Sequence, residues 1–189
     1  MPKILAFSGS ARKSSFNQKL VAVAAEGARN AGVDVTLINL ADYPMPIFNE
    51  DLEASEGMPA AAKEFKQLLI DHDGFLIASP EYNSAFSPLL KNVIDWATRP
   101  FGPDIKSAPP FEGKYAVIMA ASPGGLGGLR GLVFLRLLLS NIAVTVLPGQ
   151  HAVPQAFKKF NEDGSLNDEK IEANIMGLGK SLAQELMKK

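Results

Sequence analysis

Phe75-Leu76-Ile77-Ala78-Ser79-Pro80-Glu81-Tyr82-Asn83-Ser84 holds both a buried strand and the loop that leaves it. The first four residues are apolar without interruption, the pattern of a parallel strand covered on both faces. Pro80 then fixes its own φ and biases Ser79 toward an extended conformation, while Asn83 and Ser84 suit loop or helix-start backbone. The loop therefore stands at the carboxyl end of a strand, where open α/β sheets bind ligands. It offers an aromatic ring, a carboxylate, an amide and several backbone N–H groups. A flat heterocycle with hydrogen-bonding edges suits that surface.

On either side the period changes to that of a helix. Residues 58–71 place Ala61, Ala62, Phe65, Leu68 and Leu69 inward, and His72 reads as an ordinary helix-end residue. Residues 87–98 carry Leu89, Leu90, Val93, Ile94 and Ala97 on one stripe, with Pro88 in the first turn and Trp96 as packing. A proline-rich loop over 101–113 leads to a second fully apolar strand, 115–121. That strand ends in Ser122-Pro123-Gly124-Gly125-Leu126-Gly127-Gly128. Glycine lets a backbone approach a planar ligand closely, and plain turn chemistry accounts for it too. Its place beside other candidate loops favours the ligand reading.

The helix expected over 129–141 is apolar almost all round: Leu132, Val133, Phe134, Leu135, Leu137, Leu138 and Leu139. One sheet-facing stripe does not use all of these, so a second subunit is the economical cover. Each extra Leu or Phe buried is worth about 1.5–3 kcal/mol, offset by association entropy. A fifth strand follows at 143–147 and is expected to stop at Pro148-Gly149. His151 has no second histidine at ligand spacing and carries no metal reading. A polar turn at 161–165 and a helix over 168–187 complete the chain.

The amino-terminal part reads as a strand at 3–7, a polar loop, and a helix over 17–30 with Leu20, Val21, Ala24 and Ala28 on one face. A small-residue loop between strand and helix aims backbone N–H groups and the positive dipole end at whatever lies in front. It lacks both the Gly-Lys-Ser/Thr of NTPases and G-x-G-x-x-G. It has Ser8, Ser10, Ser14, Ser15, Asn17 and Arg12 instead, a donor set for one terminal phosphomonoester. A helix cap by Ser14 or Ser15 explains part of it equally well. A second strand is expected at 33–38, and 42–49, with two prolines, as irregular surface whose aromatics pack the loop onto the body.

The 189 residues suit one domain, 1–189, and the formal net charge of -1 argues against nucleic acid or an anionic membrane as the main partner. There is no cysteine, which excludes disulfides, thiol nucleophiles and thiolate metal sites. The short apolar start does not read as a secretory signal and no apolar run has the length of a membrane span, so a cytoplasmic protein is expected. Five strands alternating with helices give an α/β, doubly wound, five-stranded parallel sheet of order 2-1-3-4-5. The three ligand-suited loops follow strands one, three and four, neighbours at the topological switch.

Gly-Ser-Ala-Arg-Lys-Ser-Ser-Phe-Asn at 9–17, Ser-Pro-Glu-Tyr-Asn at 79–83, Lys-Asn-Val-Ile-Asp-Trp at 91–96 and Ser-Pro-Gly-Gly at 122–125 together resemble the NADPH-dependent FMN reductase family. The resemblance implies a flavodoxin-like fold and an enzyme passing hydride from NADPH or NADH through FMN to quinones, flavins, azo or nitro compounds, or chromate. It implies FMN phosphate held by Ser10, Arg12, Ser15, Phe16 and Asn17. The isoalloxazine edge falls to Pro80, Glu81, Tyr82 and Asn83, with Ser122, Gly124 and Gly125 near the ring. No catalytic side chain is implied, since the flavin carries the chemistry. A homodimer or homotetramer with flavin near the subunit interface is implied as well. The alternative of the same fold is a flavodoxin proper, a non-enzymatic FMN electron carrier; such carriers are usually strongly acidic, and this chain is nearly neutral.

Overall fold

The computed structural model describes residues 1–100 and 109–188, so most of the loop expected over 101–113 lies outside the described residues. The elements in order are β1 (Lys3–Ser8), α1 (Phe16–Arg29), β2 (Asp34–Leu37), α2 (Glu50–Glu56), α3 (Ala60–Asp71), β3 (Gly74–Ala78), β4 (Glu81–Tyr82), β5 (Ala85–Phe86), α4 (Pro88–Thr98), β6 (Tyr115–Ala121), α5 (Leu129–Asn141), β7 (Thr145–Val153) and α6 (Glu169–Leu186). The main sheet is parallel throughout, in the order β2-β1-β3-β6-β7. With the β4–β5 hairpin set aside, this is the expected 2-1-3-4-5.

Strand alternation sorts the core into two layers. Ile4, Ala6, Leu76, Ala78, Val117 and Met119 point toward α1 and α6. Leu5, Phe7, Phe75, Ile77, Ala116 and Ile118 point toward α3, α4 and α5. Both sets are buried, which is why these strands read as unbroken apolar runs. On the first side the α1 and α6 backbones touch. A Cβ at Gly27 would stand 2.1 Å from the Met176 carbonyl oxygen, and one at Gly179 only 1.8 Å from that of Ala24.

Two expectations on secondary structure are corrected, and a short helix falls at Glu50–Glu56, where none was expected. The last strand does not stop at Pro148-Gly149 but continues to Val153 through a register shift, with Ala116 opposite Val146 and Ile118 opposite Gln150. An edge strand tolerates a proline because its outward N–H needs no ladder partner. Arg136 further fixes the bulge by donating to the carbonyls of Val146 and Leu147, each at 3.0 Å, and to Gln150 Oε1 at 2.9 Å. The loop expected over 79–84 instead enters a hairpin, residues 81–86, whose turn residues Asn83 and Ser84 both have positive φ, 50° and 69°. Helix α2 has no buried residue and hence no apolar stripe to announce it; its sequence signal is the Asn49 cap, accepting from Asp51 N–H at 2.8 Å, with acidic residues in the first turn.

His72 is more than a helix-end residue. It is buried, with Nδ1 2.6 Å from the Leu68 carbonyl and Nε2 2.8 Å from Thr36 Oγ1, and so fastens α3 to β2. The Lys114 ammonium donates to the carbonyls of Leu69, Ile70 and His72 and closes the open end of α3. Trp96 is fully buried and donates to the Pro46 carbonyl at 2.8 Å, so it packs as expected.

His151 lies in β7 opposite Met119, and burial lowers its pKa below the ordinary 6.5 by stripping hydration from the imidazolium. The unfolded chain therefore takes up this proton before the folded chain does. Its contribution to stability is complete above about pH 6.5 and is lost as pH falls through the lowered folded value. Thermal melts between about pH 8 and pH 5 should show the wild type losing stability more steeply than His151→Gln below about pH 6.5.

Candidate functional site

At the carboxyl ends of β1, β3 and β6 a cleft of about 160 Å³ is lined by residues from three loops. Ser10, Arg12, Ser15, Phe16 and Asn17 come from the first, Pro80, Glu81 and Tyr82 from the second, Ala121, Ser122 and Pro123 from the third. The topology brings them together because β1, β3 and β6 are adjacent and parallel, so the chain exits all three on the same rim.

The first loop is a donor surface. Ser15 caps α1 by accepting from Gln18 N–H, and Ser10 Oγ accepts from Arg12 N–H, both at 3.4 Å. Each hydroxyl thus spends a lone pair on the backbone and keeps its proton for a further acceptor. The alternatives left open for Ser15, cap or ligand donor, are therefore compatible. Arg12 pairs with no carboxylate among the described residues; its guanidinium lies 5.6 Å from the centre of the Phe16 ring. Phe16 is backed in turn by Phe160, nearly parallel at 5.6 Å. Gln18 adds a brace, donating to the Ser10 carbonyl at 2.8 Å and to Asn39 Oδ1 at 2.9 Å.

Two of the expected site residues turn their side chains into the frame. Asn17 Nδ2 donates to the Ala121 carbonyl and Asn17 Oδ1 accepts the Ala121 N–H, both at 2.9 Å and buried, tying the first loop to the end of β6. The Glu81 carboxylate faces the first turn of α5, accepting from Gly131 N–H at 3.0 Å and from Arg130. Asn83, Gly124 and Gly125 are not among the residues lining this cleft. Asn83 sits at the hairpin turn, and Tyr82 beside it is 55% exposed.

The glycines after β6 divide into two pairs. Gly127 and Gly128 have positive φ, and added Cβ atoms there would stand 2.6 Å from Val153 and 2.7 Å from Ala120. The fold demands both. Gly124 and Gly125 have ordinary φ, and a Cβ at either would meet nothing closer than 3.4 Å. Among the described residues nothing requires them to be glycine.

Sequence reasoning missed Ala121, Pro123, Gln18 and Phe160. Phe160 lies in the polar stretch after β7, and no local signal links it to Phe16. A larger cavity of about 570 Å³ opens at the opposite end of the sheet near His72, Asp73 and Lys114. Three of its polar side chains are engaged within the chain, His72 and Lys114 as described and Asp73 by accepting from Lys3 N–H at 2.8 Å. It lies away from the switch point, so the smaller cleft is the candidate site.

Sheet order defines a flavodoxin-like α/β protein, with the candidate cleft on its carboxyl rim. The family model described as NADPH-dependent FMN reductase matches residues 2–158, and the chain belongs to that family. It is 36% identical over 169 residues to an NAD(P)H-dependent FMN reductase of Pseudomonas aeruginosa, covering 89% of this chain and 86% of that one. With an NAD(P)H:quinone oxidoreductase of Solanum tuberosum it shares 32% identity over 178 residues, covering 92% and 87%. Among solved structures, the flavoenzyme NAD(P)H:(acceptor) oxidoreductase FerB from Paracoccus denitrificans superposes with a TM-score of 0.81 at 27% identity, covering 100% of this chain and 98% of that one. An archaeal flavodoxin superposes at 0.64 with 13% identity over 99% of both chains, a likeness of fold alone.

Among the described residues no helix is long and apolar enough to cross a membrane.

Proposed function

We propose that the protein is an FMN-dependent oxidoreductase that accepts hydride from NADPH or NADH and delivers it to small acceptors, quinones first and flavins, azo and nitro compounds or chromate as chemical relatives. The observation that carries this reading is the convergence of residues 10–17, 80–82 and 121–123 on one cleft in a chain of the FMN reductase family. Bound FMN would supply the redox chemistry, taking hydride from the nicotinamide and passing it on.

The chain's own residues bind and orient. Ser10 and Ser15, each with a hydroxyl proton to give, the carboxylate-free Arg12 and the N-terminus of α1 form a phosphate cradle. Phe16 holds Arg12 over it, and Asn17 fixes its distance from β6. Pro80, Glu81, Tyr82 and Asn83 contribute wall and backbone polar groups for the ring edge, and Ser122 the facing side. Gly124 and Gly125 fit a ring passing close to backbone, since no contact among the described residues needs their lack of a side chain. The cleft of about 160 Å³ falls below the roughly 300–1,000 Å³ that engulfs a drug-sized ligand. It suits the phosphate end and one edge of the ring, leaving the ring face open to nicotinamide and acceptor in turn.

The exposed face of α5 supports a homodimer or homotetramer. Leu129, Val133, Phe134 and Leu137 recur at helical spacing and are 44–67% exposed, with Leu126 alongside. Isolated subunits seldom leave such a patch in water. In sedimentation velocity the wild type should run as a dimer or larger, and Leu137→Asp as a monomer, because a carboxylate would be buried on both sides of a symmetric contact.

Colour tests the function. Purified protein should carry flavin absorption, bleach on anaerobic addition of NADPH or NADH, and recover its colour on addition of a quinone. A yellow protein that neither coenzyme bleaches would be the electron carrier instead, and one that never binds FMN would defeat both readings.

A further inference from the structure

We propose that Glu81 is a positioning residue: its carboxylate docks the cleft wall at Pro80–Tyr82 onto the first turn of α5, and its side chain is not a ligand of the flavin. The proposal rests on the FMN reading above. Helix α5 starts after Gly128, which is in the left-handed conformation and supplies no side-chain cap. The N–H groups of Leu129, Arg130 and Gly131 are left without intrahelical acceptors. Glu81, 50 residues earlier in the chain, provides one: Oε2 accepts from Gly131 N–H at 3.0 Å. Oε1 accepts from Arg130 through Nε at 3.1 Å and Nη2 at 3.0 Å.

The charge also meets the positive end of the helix dipole. The Glu81 side chain is only 10% exposed, so its carboxylate is spent on the helix and turned from solvent. Packing repeats the message. A Cβ at Gly131 would stand 3.2 Å from the Ala85 carbonyl oxygen and 3.3 Å from Glu81 Cβ, so the hairpin lies flush on the helix turn. The wall of the cleft is thereby placed by α5, the helix that also carries the exposed apolar face.

The test is a pair of flavin titrations on each variant, by fluorescence quenching, with the thermal midpoint of the flavin-free protein measured alongside. FMN probes both ends of the site, and riboflavin, which lacks the phosphate, only the ring end. Glu81→Ala should weaken FMN and riboflavin by the same factor, about tenfold or more. Glu81→Gln, whose amide oxygen still accepts from Gly131, should recover most of the loss. Arg12→Ala should weaken FMN and leave riboflavin unchanged. The proposal is overturned if Glu81→Ala lowers the midpoint yet binds both flavins normally, if its loss is confined to FMN, or if Gln is as poor as Ala. Should Glu81→Ala not fold, Glu81→Asp decides, because its carboxylate is one methylene short of the Gly131 N–H that Glu81 reaches at 3.0 Å; both flavins must again weaken together, and unchanged binding overturns the proposal. Wild type that binds neither flavin defeats the functional reading itself, a result visible before any variant is compared.

Discussion

Gly179→Ala should lower the thermal midpoint of the protein by about 6–12 °C, while Gly177→Ala, two residues earlier on α6, should raise it slightly. At 177 a Cβ meets nothing within 4 Å, so the substitution gains helix propensity, about 0.4–1 kcal/mol. At 179 the same gain is overwhelmed. The methyl would overlap the Ala24 carbonyl oxygen at 1.8 Å and crowd the Ala28 nitrogen at 2.9 Å, both backbone atoms of α1 that no rotamer change can move. Relief requires shifting one helix off the other, a cost of about 3 kcal/mol. The consequence reaches the site, because the N-terminus of α1 is the proposed phosphate cradle. Differential scanning calorimetry with and without FMN measures both effects, and Gly179→Ala should also lose part of the stabilisation that FMN confers on wild type. Equal midpoints for the two alanine variants would show that the helices do not touch at Gly179.

Asn17→Ala should cost about 2–4 kcal/mol of stability and weaken FMN binding together. The amide of Asn17 both donates to and accepts from the backbone of Ala121, and both residues are buried, 4% and 3% exposed. Truncation takes the partner from the N–H and the C=O of a buried residue, which is the expensive way to lose a hydrogen bond. It also severs the tie between the loop at 10–17 and the end of β6 at 121–123, two of the three stretches that line the cleft. Urea denaturation gives the first number and a flavin titration the second. Normal FMN affinity in a destabilised Asn17→Ala would mean that the tie holds the fold without shaping the site.

Much of this protein was legible in its sequence because the physics concerned is local. The unbroken apolar runs at 75–78 and 115–121 have the pattern of strands covered on both faces, and with the helical stripes between them they pointed to a doubly wound sheet. That order alone put the loops after β1, β3 and β6 on one rim; of the expected residues Ser10, Arg12, Ser15, Phe16, Asn17, Pro80, Glu81, Tyr82 and Ser122 line a single cleft, and Asn83, Gly124 and Gly125 do not. Other features could not be read locally. The edge strand β7 runs through Pro148-Gly149 because β6 offers it a ladder beyond the bulge, a gain that local propensity does not contain. Glu81 and Asn17 sit inside recognisable motifs, but the motif does not say which way a side chain faces. Partners 50 and 104 residues away decide that. The same holds for the glycines, whose letters are identical along the chain. Whether one is needed for a φ, for a touching helix or for no contact within the chain depends on which atoms the fold brings opposite, and only the tertiary structure sets those.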